Sequence, residues 1–294
     1  MGSDLNNLQP PIPREQMGPT ESELIPFKST KINIWKSKAL VPLVLIALAV
    51  VALFTTMDSP LTFITIFGWV GVIAIFLGIY FYAGIQKQWW WYFVPALIAW
   101  VLLQYAFGLY ALFFRNVLPG NVSAVADNPN FIPNFIAYFF GAGMCEEGLK
   151  ATPVLIALAL TLRHGIAPSG ASPGFRDILN RKPGGPEIFS ALALRGPLDG
   201  MLMGFAAGAA FIVDETLGEY VPNQIERVLA NSHDQGLALF AGIELLIPRI
   251  LQGVSGHMAW AAIFGYFIGL AAKYPRRWIQ LVAIGYATAA VLHG

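Results

Sequence analysis

Charge is what this chain has least of. Its 294 residues include 18 Lys and Arg and 17 Asp and Glu, 12% in all, where soluble domains carry roughly 25%. With 56% apolar residues and a mean hydropathy of +0.60, there is too little polar surface to cover a globule in water. That excludes a soluble enzyme and points to a polytopic membrane protein. Cysteine is nearly absent: Cys145 stands alone, which excludes an internal disulfide framework and any CxxC metal site. A net charge of +1 supplies no basic field, so nucleic acid is not an expected partner.

What is present is a succession of apolar runs. Residues 1–38 hold seven Pro and Gly with mixed charges and no sustained apolar period, and read as a flexible tail outside the bilayer. Runs long enough to cross about 30 Å of hydrocarbon follow at 39–57, 61–83, 92–113, 132–160, 198–217, 251–272 and 278–294. An eighth, 237–250, is short and carries Glu244, Pro248 and Arg249. It reads as an interfacial or re-entrant helix leading into the sixth span. The expected fold is an all-α transmembrane bundle of about seven spans plus that helix. Three regions follow: the tail at 1–38, three charge-free spans within 39–131, and a functional core at 132–294.

Orientation follows from the positive residues. Lys150 and Arg249 fall inside apolar segments, and the other 16 Lys and Arg divide 14 to 2 between alternate connections. Because cytoplasmic loops carry the excess, the N-terminus is expected in the cytoplasm and the C-terminus outside. Trp89, Trp90 and Trp91 beside Lys87 fit an aromatic belt on the cytoplasmic side.

The first three spans contain no ionisable Asp, Glu, Lys, Arg or His; the buried charge sits in the last four. Such groups are costly in hydrocarbon unless paired or hydrated, so each marks a candidate site. The fourth span carries Glu146, Glu147 and Lys150 in GMCEEGLK, the fifth Asp214 and Glu215 in FIVDE, the sixth His257 in SGHMAW, and the seventh ends on His293. Lys150 is one helical turn from both glutamates, so it can neutralise one and leave the other free. Gly204, Gly208, Phe211 and Glu215 share one helix face; Gly253, His257, Ala261, Gly265 and Gly269 form a second row of small residues, and Gly285, Ala289 and His293 a third. Small residues mark close helix packing, so these rows turn Glu215, His257 and His293 into the bundle. In the deduced orientation Glu215, His257 and His293 lie near the outer ends of their spans, with Glu146 deepest. A cavity opening outward can hold all four.

A carboxylate beside a second titratable group can activate water against a carbonyl and then return the proton to the leaving amine. Glu146 is the candidate base, Glu147 and Lys150 set its charge state, and Glu215 helps to hold the water. His257, and with it His293, stabilises the oxyanion. The same inventory can bind zinc through two imidazoles and a carboxylate, although no HExxH is present. Cys145 faces about 100° away from Glu146 on the helix and is a poor nucleophile candidate. A proton-coupled transporter using the buried Glu/His set, or an idle membrane scaffold, remains an alternative from another class.

EEGLK at 146–150, FIVDE at 211–215, HMAWAAIFGYFIG at 257–269 and the closing LH at 292–293 resemble the EExxK, FxxxE and HxxxA motifs of the PrsW family of intramembrane proteases. This family is distantly similar to the CAAX-prenyl-protease-like (ABI) membrane peptidases. DGMLMGFAAG, starting at Asp199, and Pro248-Arg249 also resemble its pattern, and the likeness covers about 134–294. The resemblance implies a protease of the bacterial inner membrane that cuts single-pass proteins such as anti-sigma factors near the extracytoplasmic side. It implies catalytic roles for Glu146, Glu147 and His257, with Glu215 and His293 as partners and Lys150, Phe211, Asp199 and Arg249 in support. The pattern departs at Thr216, where an Asn commonly follows the motif glutamate, and in the long 161–197 connection. The preferred chemistry is glutamate-dependent, with no metal and no cofactor; a zinc peptidase is the alternative. A topology reporter placed in 161–197 is expected to read as cytoplasmic, and an external signal there would overturn the outward-facing site.

Overall fold

A computed structural model describes residues 59–83, 90–164 and 191–294, with the isolated positions 18, 44 and 47. The expected tail, the first span and most of the 161–197 connection lie outside the described residues. Among the described residues every regular element is helical, as a chain immersed in lipid requires, because a helix satisfies its backbone within one segment.

The elements are α1 (Pro60–Ala83), α2 (Trp90–Ala111), α3 (Phe131–Tyr138), α4 (Cys145–His164), α5 (Pro197–Phe211), α6 (Val221–Ser232), α7 (Gln235–Gly253), α8 (Ala259–Lys273) and α9 (Trp278–His293). Four are joined or extended by π-helical stretches: Leu112–Val117 ends α2, Phe139–Met144 joins α3 to α4, Ile212–Tyr220 joins α5 to α6, and Val254–Met258 joins α7 to α8. Residues 131–164, 197–232 and 235–273 are therefore three long helices, each interrupted by a wider turn. Among the described residues four helices are long and apolar enough to cross a membrane: Pro60–Ala83, Phe93–Val117, Pro197–Ser232 and Gln235–Lys273. The expected fourth and seventh spans, the latter only 16 residues in α9, are helices in the same bundle.

Residues 237–250 lie in α7, which leads through the π turn Val254–Met258 into the sixth span within a helical stretch of 39 residues. Glu244, Pro248 and Arg249 lowered the apparent hydropathy there, but Arg249 turns inward to a carboxylate and a tyrosine ring. The 36 residues of 197–232 and the 39 of 235–273 fold back on each other as a hairpin. At its tip His233 adopts a left-handed conformation (φ 57°), and Asp234 accepts a hydrogen bond from the Leu237 N–H to start α7.

The axis of the bundle is the crossing of α5 and α8. A Cβ added to Gly200 would lie 2.1 Å from the Gly265 carbonyl oxygen, one on Gly204 2.1 Å from that of Ala261, and one on Gly208 2.5 Å from that of His257. From the other side, Gly265 meets the carbonyl of Gly200 and Gly269 that of Gly196. Two antiparallel backbones thus touch directly over three turns, which only Gly and Ala permit. This is the small-residue row read from the sequence, and it fixes where His257 stands relative to the end of α5. Around it pack α2, α4 and α9, enclosing Val154, Leu202, Met203, Met258, Phe264 and Ile268.

Gly204→Val forces the two backbones apart and is expected to destabilise the folded protein by about 3 kcal/mol. Gly108→Ala, with nothing within 4 Å of the added methyl, is expected to change stability by less than about 0.5 kcal/mol. Thermal unfolding in detergent compares the two.

Candidate active site

The π stretches hold or adjoin five of the ionisable residues that converge in the bundle. Arg115 lies in Leu112–Val117, Glu215 in Ile212–Tyr220 and His257 in Val254–Met258, while Glu146 and Glu147 follow Phe139–Met144 directly. A π turn closes its hydrogen bonds one residue later than an α turn, so it rotates the register and exposes carbonyl oxygens to other partners. Two of those oxygens are taken by side chains: Arg115 Nε donates to the Gly141 oxygen at 2.9 Å, and the Tyr286 hydroxyl to the Met144 oxygen at 2.6 Å. On its other side this turn receives the α9 backbone, with Gly143 against the Ala290 carbonyl. The segment that aims Glu146 and Glu147 is thereby held by α2 and α9 together.

Lys150 is the centre of the cluster. Its side chain is 0% exposed; its Nζ donates to Glu147 Oε1 at 2.7 Å and to His257 Nδ1 at 2.8 Å, and stands 3.7 Å from Glu146 Oε2. It also lies 4.5 Å above the Phe211 ring, a favourable place for a desolvated cation. Phe211 stacks on His257 as well, with ring centres 6.1 Å apart.

The hydrogen bonds assign the histidine tautomers. His257 receives the lysine proton at Nδ1, so its Nε2–H faces Glu215 Oε2, 3.4 Å away. His293 donates Nδ1–H to Glu147 Oε1 at 2.8 Å and turns Nε2 toward Glu146 Oε2 at 3.5 Å. The two imidazoles meet edge to face with centres 5.0 Å apart, and Trp260 packs on His293 at 4.6 Å. Arg249 NH2 stands 3.5 Å from Glu215 Oε2 and lies over the Tyr220 ring.

Of the residues selected from the sequence, Glu146, Glu147, Lys150, Phe211, Glu215, Arg249, His257 and His293 come together. Asp199 does not. It stands at the start of α5, the far end from Glu215, where its carboxylate accepts the Arg195 N–H at 2.9 Å. That is a helix-capping bond that fixes the entry to α5. Asp214 turns to Gln104 on α2, and Cys145 is buried.

Two members were missed. Arg115 reads as a loop charge in the sequence, yet its NH2 lies 3.9 Å from Glu146 Oε1. Trp260 gives no signal beyond its place three residues after His257.

A family model described as PrsW family intramembrane metalloprotease matches residues 87–294. The chain belongs to that family. It is accordingly a multi-pass membrane protein and an intramembrane peptidase. No curated protein and no solved structure matches it. The match begins just before α2, so α1 lies outside it while the whole cluster lies within.

The family description names a metalloprotease, where the sequence favoured a metal-free reaction. The donor set fits a divalent cation. One atom each from Glu146, His257 and His293 falls within 4.8 Å of the others; Glu146 Oε2 is buried and has no hydrogen-bond partner. The imidazoles are held from behind by Glu215 and Glu147, the usual support of metal-binding histidines. Lys150 competes for one of the three donors, since its ammonium sits on His257 Nδ1. The zinc alternative thus has a geometric basis.

Removing the central cation leaves Glu147 buried without its closest counter-charge, so Lys150→Met is expected to cost about 3–5 kcal/mol. Folded yield and thermal unfolding in detergent measure it.

Proposed function

We propose that the protein hydrolyses a peptide bond of a single-pass membrane protein, such as an anti-sigma factor, near the extracytoplasmic side, at the centre formed by Glu146, His257 and His293. The observation that carries this reading is the Glu146 carboxylate. One of its oxygens is buried and free of hydrogen bonds while facing two imidazoles at 3.5 and 3.8 Å.

A water lodged against Glu146 Oε2 gives up a proton to that carboxylate as its oxygen bonds to the substrate carbonyl carbon. The carbonyl becomes an oxyanion beside the Lys150 ammonium, whose positive charge stabilises it. Glu146 then passes the proton to the leaving nitrogen as the C–N bond breaks. Glu147 and Glu215 do not touch the reacting atoms; they hold His293 and His257 in fixed tautomers. Phe211 and Trp260 flank the imidazoles and keep them from turning. The site's face follows from the division of loop charges, which sets the outer ends of α2, α4 and α9 together.

A second reading has its own observation, the convergence of three donor atoms. In it Glu146, His257 and His293 would hold a zinc ion, which when bound supplies a Lewis acid for the carbonyl and acidifies water.

Co-expression with tagged single-pass proteins tests the first reading. Cleavage is expected to fall by about 100-fold or more in Glu146→Gln and to be lost in His257→Ala, with membrane level unchanged. Undiminished cleavage by Glu146→Gln would sink both readings. Activity that survives a strong chelator excludes zinc, and activity lost to the chelator and restored by added Zn²⁺ selects it.

A further inference from the structure

The cluster contains three carboxylates, Glu146, Glu147 and Glu215. Counting only residues inside the apolar runs, the sequence offers Lys150 as the obvious counter-charge in the fourth span, and one ammonium cannot neutralise two glutamates. The structure supplies three cations. Lys150 is 2.7 Å from Glu147, Arg249 is 3.5 Å from Glu215, and Arg115 faces Glu146. Lys150 stands about as near to Glu146, at 3.7 Å against 3.9 Å for Arg115, but its hydrogen bonds go to Glu147 and His257, so the two cations share Glu146, with Arg115 on Oε1 and Lys150 on Oε2.

Arg115 holds Glu146 in two ways. Its Nε donates to the Gly141 carbonyl at 2.9 Å, within the π turn that presents Glu146. Its NH2 faces Glu146 Oε1 at 3.9 Å. One planar guanidinium thus links the backbone before the glutamate to the glutamate's own carboxylate, a task that a lysine point charge cannot share. The Phe107 ring beneath it, 5.1 Å from Cζ, braces the group. With Oε1 turned to Arg115, Oε2 is the oxygen left to face His257 and His293. Backbone packing fixes the arrangement from outside: a Cβ on Gly120 would lie 2.7 Å from the Gly141 nitrogen, so the segment after Arg115 lies directly on that turn.

Exposure sets Arg115 apart from its neighbours at Glu146. Its side chain is 35% exposed, against 11% for Glu146 and 0% for Lys150 and Glu147, so the cluster opens on its side.

We propose that Arg115 is a positioning residue of the peptidase, the counter-ion that orients the Glu146 carboxylate and fixes which of its oxygens meets the substrate. This rests on the reading of Glu146 as the reacting carboxylate. Arg115 acts through Glu146 and, through Gly141, on the turn that carries it.

The test uses full-length protein in membranes, with a tagged single-pass protein that wild type cuts and Glu146→Gln does not. Arg115→Gln keeps an N–H for the Gly141 carbonyl and removes the charge. Its kcat is expected to fall by about 100-fold with KM unchanged, and Arg115→Lys is expected to recover at least about a tenth of the wild-type kcat by restoring the charge. A second measurement does not depend on proteolysis. Arg115→Gln should lower the thermal midpoint of the wild type, where it strands an ionised carboxylate, and lower that of Glu146→Gln by less than half as much. Equal lowering in both backgrounds, or a wild-type kcat in Arg115→Gln, would overturn the proposal. If Glu146→Gln itself still cuts, the reading of Glu146 as the reacting carboxylate fails instead, and the thermal comparison still decides whether Arg115 serves Glu146.

Discussion

Everything in the functional half of this protein follows from the cost of keeping three glutamates ionised inside a helical bundle. An isolated carboxylate in a low-dielectric interior loses many kilocalories of hydration, and only close cations and hydrogen bonds return them. The bundle meets this with three separate cations from three helices, Lys150 from α4, Arg249 from α7 and Arg115 from the end of α2. Two imidazoles complete the set. Three cations match three carboxylates, while two buried oxygens, Glu146 Oε2 and Glu147 Oε2, are left without a hydrogen bond, and of these Glu146 Oε2 is the one that faces both imidazoles. A site that satisfied that oxygen fully would be more stable and chemically inert.

Neutralising the charges requires their helices to arrive at fixed heights and rotations, and two backbone features supply this. Glycine-lined contact between α5 and α8 removes the side chains that would otherwise let two helices slide or roll. His257 and Glu215 are thus set against each other by backbone contact. The π turns then shift the register locally, so that residues which a regular helix would direct elsewhere enter the same cavity. The turn before Glu146 frees the Gly141 and Met144 carbonyls, and both are taken by side chains from the helices that enclose the site. An unusual turn that would be unstable alone is stable here because α2 and α9 hydrogen-bond to it.

Most of this site was legible because charge stands out where it is rare. Glu146, Glu147, Lys150, Glu215, His257 and His293 each interrupt an apolar run, and the four-residue spacing of glycines showed which faces pack. Arg115 was not legible, since it lies two residues past the end of the third apolar run and counts equally well as a loop charge. Its assignment depends on the α2 backbone continuing as a π turn to Val117, which no local pattern encodes. Asp199 went the other way: it begins the small-residue stretch of α5 and was grouped with the site, yet its carboxylate serves a local cap four turns from Glu215. The segment 237–250 was set apart because Pro248 and Arg249 lower its hydropathy. A proline inside a membrane helix is compatible with continuity when neighbouring groups take up the freed backbone, and an arginine when a carboxylate waits for it.

The order of burial within the cluster gives it a direction. Lys150 and Glu147 are sealed, Glu146 and His293 are nearly so, and Glu215, Arg249 and Arg115 face the opening with a quarter to a third of their side chains exposed. Lys150 and Glu147, which hold His257 Nδ1 and His293 Nδ1, are therefore shut away from solvent, where a lower dielectric strengthens their hold on the imidazoles. The groups nearest the opening are those that a substrate backbone would meet first. An extended peptide approaching from that side reaches Glu146 Oε2 only after passing the arginine that turns the carboxylate toward it. On the other side Trp260 closes against the His293 imidazole.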